Sequence, residues 1–209
     1  MQFYQKRSRS VVRSAFSLLT QEQEELSNWL IDVTIYTRFL PQSHISQYGT
    51  WLKSLDPATL RAYFGIGLGP KGIDSLVRKF KKDFAHHHFL VAENNSKWVG
   101  VIHIASYQET VEFGVIIRKE FRRLSIADKL LGEALIWAQN RQYKKLIMHC
   151  IVENSPIRKL CQKHGLIAQN VYGDIEATMN LPKSNWLSVY KEAIQRQVNW
   201  YYYLKSFKA

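Results

Sequence analysis

Cysteine is scarce in this 209-residue chain, with Cys150 and Cys161 its only two. Two thiols cannot make a disulfide framework, so they read as free thiols of a reducing compartment. Long hydrophobic runs are missing as well. No apolar stretch approaches the ~20 residues that span a bilayer. That excludes a helical membrane protein, and the expected location is cytoplasmic with no membrane partner. Acidic residues are few: 17 Asp and Glu face 29 Lys and Arg, a net charge of +12. Such an excess favours anionic partners, nucleic acid or a phosphorylated cofactor among them, without choosing between them. The first twenty residues hold Lys6, Arg7, Arg9 and Arg13 and no acid. They lack the uninterrupted apolar run of a secretory signal and read as a solvated basic arm. Low-complexity tracts and internal repeats are also lacking. Hydrophobic residues make up 46% of the chain and aromatics 13%. This is too much apolar matter for a disordered chain and enough for one core.

Local patterns divide the chain into a helical part, a mixed part and a closing helix. Ala15–Leu19 could be a short first strand. Thr20 to Gln23 forms a capping box that starts a helix running to about Tyr36. A second helical stretch follows from Ser43 to Leu55. Asp56-Pro57 pairs a cap with a proline at the first helical position. Gly65, Gly67, Gly69, Pro70 and Gly72 form a breaker-rich link. The next helix is predicted over Ile73–Phe84. From His88 the pattern turns to β-formers: His88–Ala92, Trp98–Ala105 and Thr110–Ile117, joined by short turns, predict an antiparallel meander. A helix over Ile126–Gln139, a strand over Lys145–Val152 and a helix over Ser155–His164 capped by Gly165 follow. Leu166–Tyr172 and Ile175–Leu181 read as two last strands. Ser184–Phe207 reads as a final helix, its apolar stripe passing through Leu187, Tyr190, Ile194, Val198 and Tyr201. The expected organisation is 1–85 helical, 86–182 a mixed core and 183–209 the C-terminal helix.

The stretch from Glu112 to Ala127 carries the chemistry. It passes from a strand, through a turn rich in arginine, into a helix whose first residues are small. The start of a helix offers unpaired N–H groups and partial positive charge, so it suits phosphate. Ser125 and Ala127 are small enough for a pyrophosphate to approach the backbone. Arg122 and Arg123 add charge. Two other clusters carry less. His86-His87-His88 would point in different directions on a strand and lacks partners at zinc spacing, so no metal is expected. Gly65 to Gly69 lacks the surrounding strand and helix of a dinucleotide loop.

Arg122 to Ala127 is similar to the pyrophosphate motif of the GNAT acyltransferase superfamily, (Gln/Arg)-x-x-Gly-x-(Gly/Ala). The first and last positions match, and Ser125 stands where the motif has its first glycine. The order of parts around it matches too: the strand before it, Leu130-Leu131 in the helix after it, then a strand over Leu146–Val152, Asn154 to Cys161, and Gly165-Leu166. The resemblance covers roughly His88–Leu181. It implies an α/β (α+β) fold with a mixed, mostly antiparallel sheet flanked by helices and splayed between two central strands. Here the N-terminal helices and the C-terminal helix are additions.

The resemblance also implies acetyl-CoA as acyl donor. Its pantetheine would lie along Val115, Ile116 and Ile117. Its pyrophosphate would rest on Arg122, Arg123, Leu124, Ser125, Ile126 and Ala127, and Asn154 would touch the pantetheine arm. The reaction is attack of an amine on a thioester. An alkyl ammonium has a pKa near about 10.4 and must first lose a proton. Glu112 stands where protein-acetylating relatives carry their base. Cys161 stands where many relatives have a tyrosine that protonates the leaving thiolate, and it also suits simple packing. Thr37-Arg38-Phe39, taken as part of the early helical region, looks like an Arg-Phe pair of lysine acetylase relatives and points to a protein amine. Amines on nucleic acid or aminoacyl-tRNA, or a binding module without catalysis, stay open as alternatives. The aromatic C-terminal helix is expected to pack on its own domain, to form a homodimer contact or to wall the acceptor site.

Overall fold

The computed structural model of the chain describes residues 35–171 and 174–206. The expected strand at Ala15–Leu19 and the body of the first helix lie outside those residues. The end of that helix does not hold. Tyr36 belongs to strand β1 (Ile35–Phe39), and Thr37-Arg38-Phe39 lies in the same strand. Ile, Tyr, Thr and Phe all prefer extended backbone, and this outweighs the helical periodicity extrapolated from upstream.

Three helices follow. Helix α1 (Ile45–Lys53) buries Tyr48, Trp51 and Leu52. Helix α2 (Pro57–Phe64) begins as the sequence predicts: Asp56 accepts from the Thr59 amide at 2.9 Å, and Pro57 fills the first turn. It ends on Gly65 at φ 73°, a left-handed position that glycine takes without a Cβ clash. Helix α3 (Pro70–Lys82) starts three residues earlier than predicted. Proline costs nothing at a first turn, whose N–H lacks a helical partner anyway, so Pro70 opens the helix instead of closing the link.

The meander is present as β2 (His87–Asn94), β3 (Lys97–Tyr107) and β4 (Thr110–Ile117), all antiparallel. Asn95 and Ser96 carry φ of 46° and 61° in the first turn, the geometry that keeps a two-residue hairpin twisted with its strands. Helix α4 (Ile126–Asn140) returns the chain to β5 (Lys145–Ile151), which runs parallel to β4. Helix α5 (Ser155–Lys163), β6 (Ile167–Val171) and β7 (Asp174–Asn180) complete the sheet. Among the described residues the sheet has seven strands in the order β1-β2-β3-β4-β5-β7-β6.

One face of the sheet packs on α1 and α3, where Tyr48, Leu52, Ile73, Val77 and Phe80 meet Phe89, Val91, Val101 and Ile116. Helix α4 packs on β2, β3 and β4 with Leu130, Leu131, Ala134 and Ala138 buried. Helix α6 (Trp186–Ser206) lies on α4. Asn140 donates to the Ser188 carbonyl at 3.1 Å and to Glu192 at 2.6 Å. Asn199 reaches β1, donating to the Thr37 hydroxyl at 2.6 Å. Among the described residues no helix is long and apolar enough to cross a membrane.

Candidate active site

Strands β4 and β5 pair over three residues only, Thr110 with Lys145, Val111 with Leu146 and Glu112 with Ile147. Past Glu112 they part. The Phe113–Ile117 segment of β4 keeps its ladder to β3 but has no partner on the β5 side. The Ile117 carbonyl accepts from the Arg122 guanidinium at 3.4 Å, and ahead of it the edge has no strand partner, so an inserted extended chain can pair there. Two connected cavities fill the opening. The outer one, about 510 Å³, is lined by Val115, Ile116 and Ile117 of β4, by Arg122, Arg123, Ser125, Ile126 and Ala127, and by Asn154 of the α5 start. The inner one, about 290 Å³, holds Glu112, Gly114, His149 and Asn154. Tyr63, Val115 and Asn154 belong to both.

The loop at the mouth has a distinctive backbone. Arg123 at φ 64° and Ser125 at φ 54° are both left-handed. These two reversals swing the chain from the short 3-10 turn at Lys119–Phe121 into α4, with Ser125 at the cap and no side chain capping the first amides. The N–H groups of the first turn thus face the outer cavity without an internal acceptor. The Arg122 guanidinium donates to the Thr59 hydroxyl at 2.5 Å, so α2 holds this side chain at the rim. Asp128 in the first turn is offset by Lys163 at 3.0 Å and His164 at 2.8 Å. Burial raises its carboxyl, but the hydrogen bonds from Lys163 and His164 outweigh that and hold it below the usual carboxylate range.

Glu112 is exposed on β4 and faces the inner cavity at the last paired position before the strands part. Asn154 caps α5: its side chain accepts from the Ile157 amide at 3.4 Å and donates to the Ala62 carbonyl at 3.2 Å. It therefore fastens the start of α5 to the end of α2 across the opening. Leu124 and Cys161 line neither cavity. Cys161 is fully buried, its thiol 3.8 Å from the Met148 sulfur, and burial pushes it up to about 11. The three consecutive histidines diverge. His86 meets Asp83 at 2.7 Å, His87 meets His103 at 3.0 Å, and the His88 ring lies against Trp137.

Sequence reasoning missed Tyr63 and Thr59, which α2 brings to the opening from fifty residues upstream of β4. Their pattern in α2 is that of an ordinary amphipathic helix, and nothing in it marks a site. Lys159 and Lys163 on α5 also line the outer cavity. Their i, i+4 spacing on one helix face was readable, but not the direction of that face.

Residues 56–166 match the Acetyltransferase (GNAT) family. The chain belongs to this family and is an N-acetyltransferase by class. Solved structures agree on the fold. Spermidine N-acetyltransferase from Vibrio cholerae, in complex with CoA and spermine, aligns with a TM-score of 0.58 at 16% identity, covering 71% of this chain and 96% of that one. The GNAT domain of S. lividans PAT gives 0.62 at 13% identity, covering 69% and 89%. The PaiA N-acetyltransferase of Thermoplasma acidophilum, in complex with coenzyme A, gives 0.54 at 17% identity, covering 70% and 98%. No curated protein sequence matches the chain.

Proposed function

We propose that this protein moves an acetyl group from acetyl-CoA to a primary amine by direct attack of the amine on the thioester. The parting of β4 and β5 immediately past Glu112 carries this reading. An extended pantetheine fits the unpaired edge at Val115 to Ile117. The pyrophosphate fits the amides that follow Ser125, with Arg122, Arg123, Lys159 and Lys163 around it. CoA in the Vibrio and Thermoplasma relatives supports the choice of donor.

The thioester then falls in the inner cavity beside Glu112. The Glu112 carboxylate takes a proton from the incoming ammonium, whose freed lone pair adds to the carbonyl carbon. The C–S bond breaks, the new amide nitrogen gives its remaining extra proton to solvent, and CoA leaves as thiolate. Among the described residues Glu112 is the one acid lining the inner cavity. This suits an acceptor that presents a single ammonium, such as a lysine side chain of a protein or a small monoamine. Cys161, buried against Met148, serves packing in this scheme and not proton donation.

The test is acetyl-CoA turnover with a panel of peptide, monoamine, polyamine and tRNA acceptors, for wild type and Glu112→Gln. The substitution keeps the shape of the side chain and removes its basicity. Loss of a general base costs about 10²–10⁴-fold in rate, so kcat should drop by that order while CoA affinity stays nearly intact. A Glu112→Gln enzyme with the wild-type maximum rate and the same ascending pH limb would show that Glu112 is not the base.

A further inference from the structure

Tyr63 stands at the junction of the two cavities and carries a hydroxyl that the scheme above does not use. Its ring lies across Gly114 of β4. A Cβ at position 114 would come within 2.5 Å of the Tyr63 hydroxyl oxygen and within 3.0 Å of the ring carbon that bears it. Glycine at 114 is therefore what lets the phenol reach the strand. Two residues before it is Glu112, and one residue after it is Val115, on the edge left unpaired by β5. The hydroxyl is thus placed over the strand between the candidate base and the pantetheine edge, where the reacting carbonyl must lie if acetyl-CoA binds as proposed.

The surroundings of this hydroxyl hold it neutral. The Tyr48 phenol of α1 is its neighbour, fully buried and held by that burial well above its usual range. Burial pushes the Tyr63 phenol well above its usual range, and the nearby Glu112 carboxylate pushes the same way. A phenol held neutral at every assay pH is a steady hydrogen-bond donor and a poor source of a transferable proton.

We infer that Tyr63 is a catalytic hydrogen-bond donor that stabilises the negative charge developing on the thioester as the amine adds. This deepens the acetyltransferase reading and rests on it. The amine lone pair forms the C–N bond, and the carbonyl π pair moves onto oxygen. The Tyr63 O–H points its hydrogen at that charge without giving it up. When the pair returns to the carbonyl, the C–S bond breaks. No proton leaves Tyr63, and the phenol is unchanged after each cycle. Preorganised donors of this kind act through charge that exists only in the transition state, so they change kcat and not substrate affinity.

The test uses Tyr63→Phe in the full chain, with acetyl-CoA and the fastest acceptor of the panel above. Loss of one such donor costs on the order of 10²-fold in kcat. The expected result is a fall of that size, with KM for acetyl-CoA and the calorimetric Kd for CoA unchanged and an ascending pH limb like that of wild type. A purely structural tyrosine would instead shift Kd or the melting temperature and leave kcat. Gly114→Ala is the second variant, because its Cβ displaces the hydroxyl while the phenol remains; it should lose kcat to a similar degree. Tyr63→Phe that binds CoA normally and turns over within about threefold of wild type overturns the role of Tyr63 and leaves the acetyltransferase reading standing. A wild-type protein that neither binds CoA nor transfers acetyl overturns both.

Discussion

Ser125 occupies the position where the family motif has its first glycine, and its φ of 54° explains the preference. Left-handed backbone costs a residue with a Cβ about 1–2 kcal/mol, and the Ser125 side chain makes no capping bond in return. Ser125→Gly should therefore relieve strain, less the ~0.5–1 kcal/mol that glycine loses in chain entropy. We expect a melting temperature equal to or slightly above wild type and CoA affinity at least as tight. A clear fall in both would mean that the serine hydroxyl holds the loop. Cys161 gives a second test at this scale. With its thiol pushed up to about 11 and buried against Met148, it should resist thiol reagents in the native protein at pH 8. Cys161→Ala should keep kcat within about threefold of wild type, whereas a proton donor at this position would lose far more. The sequence placed Cys161 correctly on a helix after Asn154. It could not show that Met148, thirteen residues away on β5, fills the space in front of the thiol.

At the scale of elements, the hairpin of β2 and β3 is stitched by a pair of histidines, His87 buried and His103 half-buried. His87 and His103 face each other at 3.0 Å, one ring donating and the other accepting, with Phe80 of α3 and Phe89 stacked around them. Burial drives His103 down to about 3, and the His87 charge pushes the same way. Burial lowers His87 and His88 too. In the unfolded chain these rings take up protons near about pH 6.5, while in the folded chain His103 resists until about pH 3 and His87 and His88 resist to a lesser depth. Stability is therefore complete above about pH 6.5 and falls as pH drops from there, through His103 by up to about 1.4 kcal/mol per pH unit towards pH 3. Urea midpoints between pH 7 and 4 should show this decline. His103→Phe should flatten part of it, and an unchanged slope would mean that His103 is not the group responsible. The first hairpin and helices α2 and α5 were legible, because each rests on a local signal: a turn read at Asn94-Asn95, one residue before the Asn95-Ser96 turn observed, Asp56-Pro57, and Gly165. Strand β1 was not, because Ile35–Phe39 is short and abuts a longer helical periodicity. Its extended preference is local, but it prevails only with pairing beside β2, a non-local contact.

The whole molecule joins three sequence segments around one opening: α2 with Thr59 and Tyr63, β4 with the loop into α4, and the start of α5. The order of β4, loop and helix could be read from sequence. The splay needed the sheet, since three paired residues followed by separation is a property of two strands held apart in the chain by the loop and α4. The C-terminal helix is tied to α4 and β1 through Asn140, Glu192 and Asn199, yet it exposes Trp186 at 80% and Trp200 at 60%. Truncation after Leu181 should lower the melting temperature through the lost contacts of Asn140, Arg141 and Thr37. If the shortened protein keeps its stability, its oligomeric state and its turnover, α6 is an appendage.

Calorimetric titration of CoA into wild type and Ala127→Glu tests the central claim, that acyl-CoA binds in the opening between β4 and β5 with its pyrophosphate on the α4 amides. An acidic side chain in the first turn of a helix is favourable to the helix itself, so the variant should fold. The same side chain brings bulk and negative charge to the surface lining the outer cavity. Wild type should bind CoA and Ala127→Glu should lose at least about tenfold in affinity, a change of ~1.4 kcal/mol. Equal affinity in a folded Ala127→Glu would contradict the placement of the cofactor.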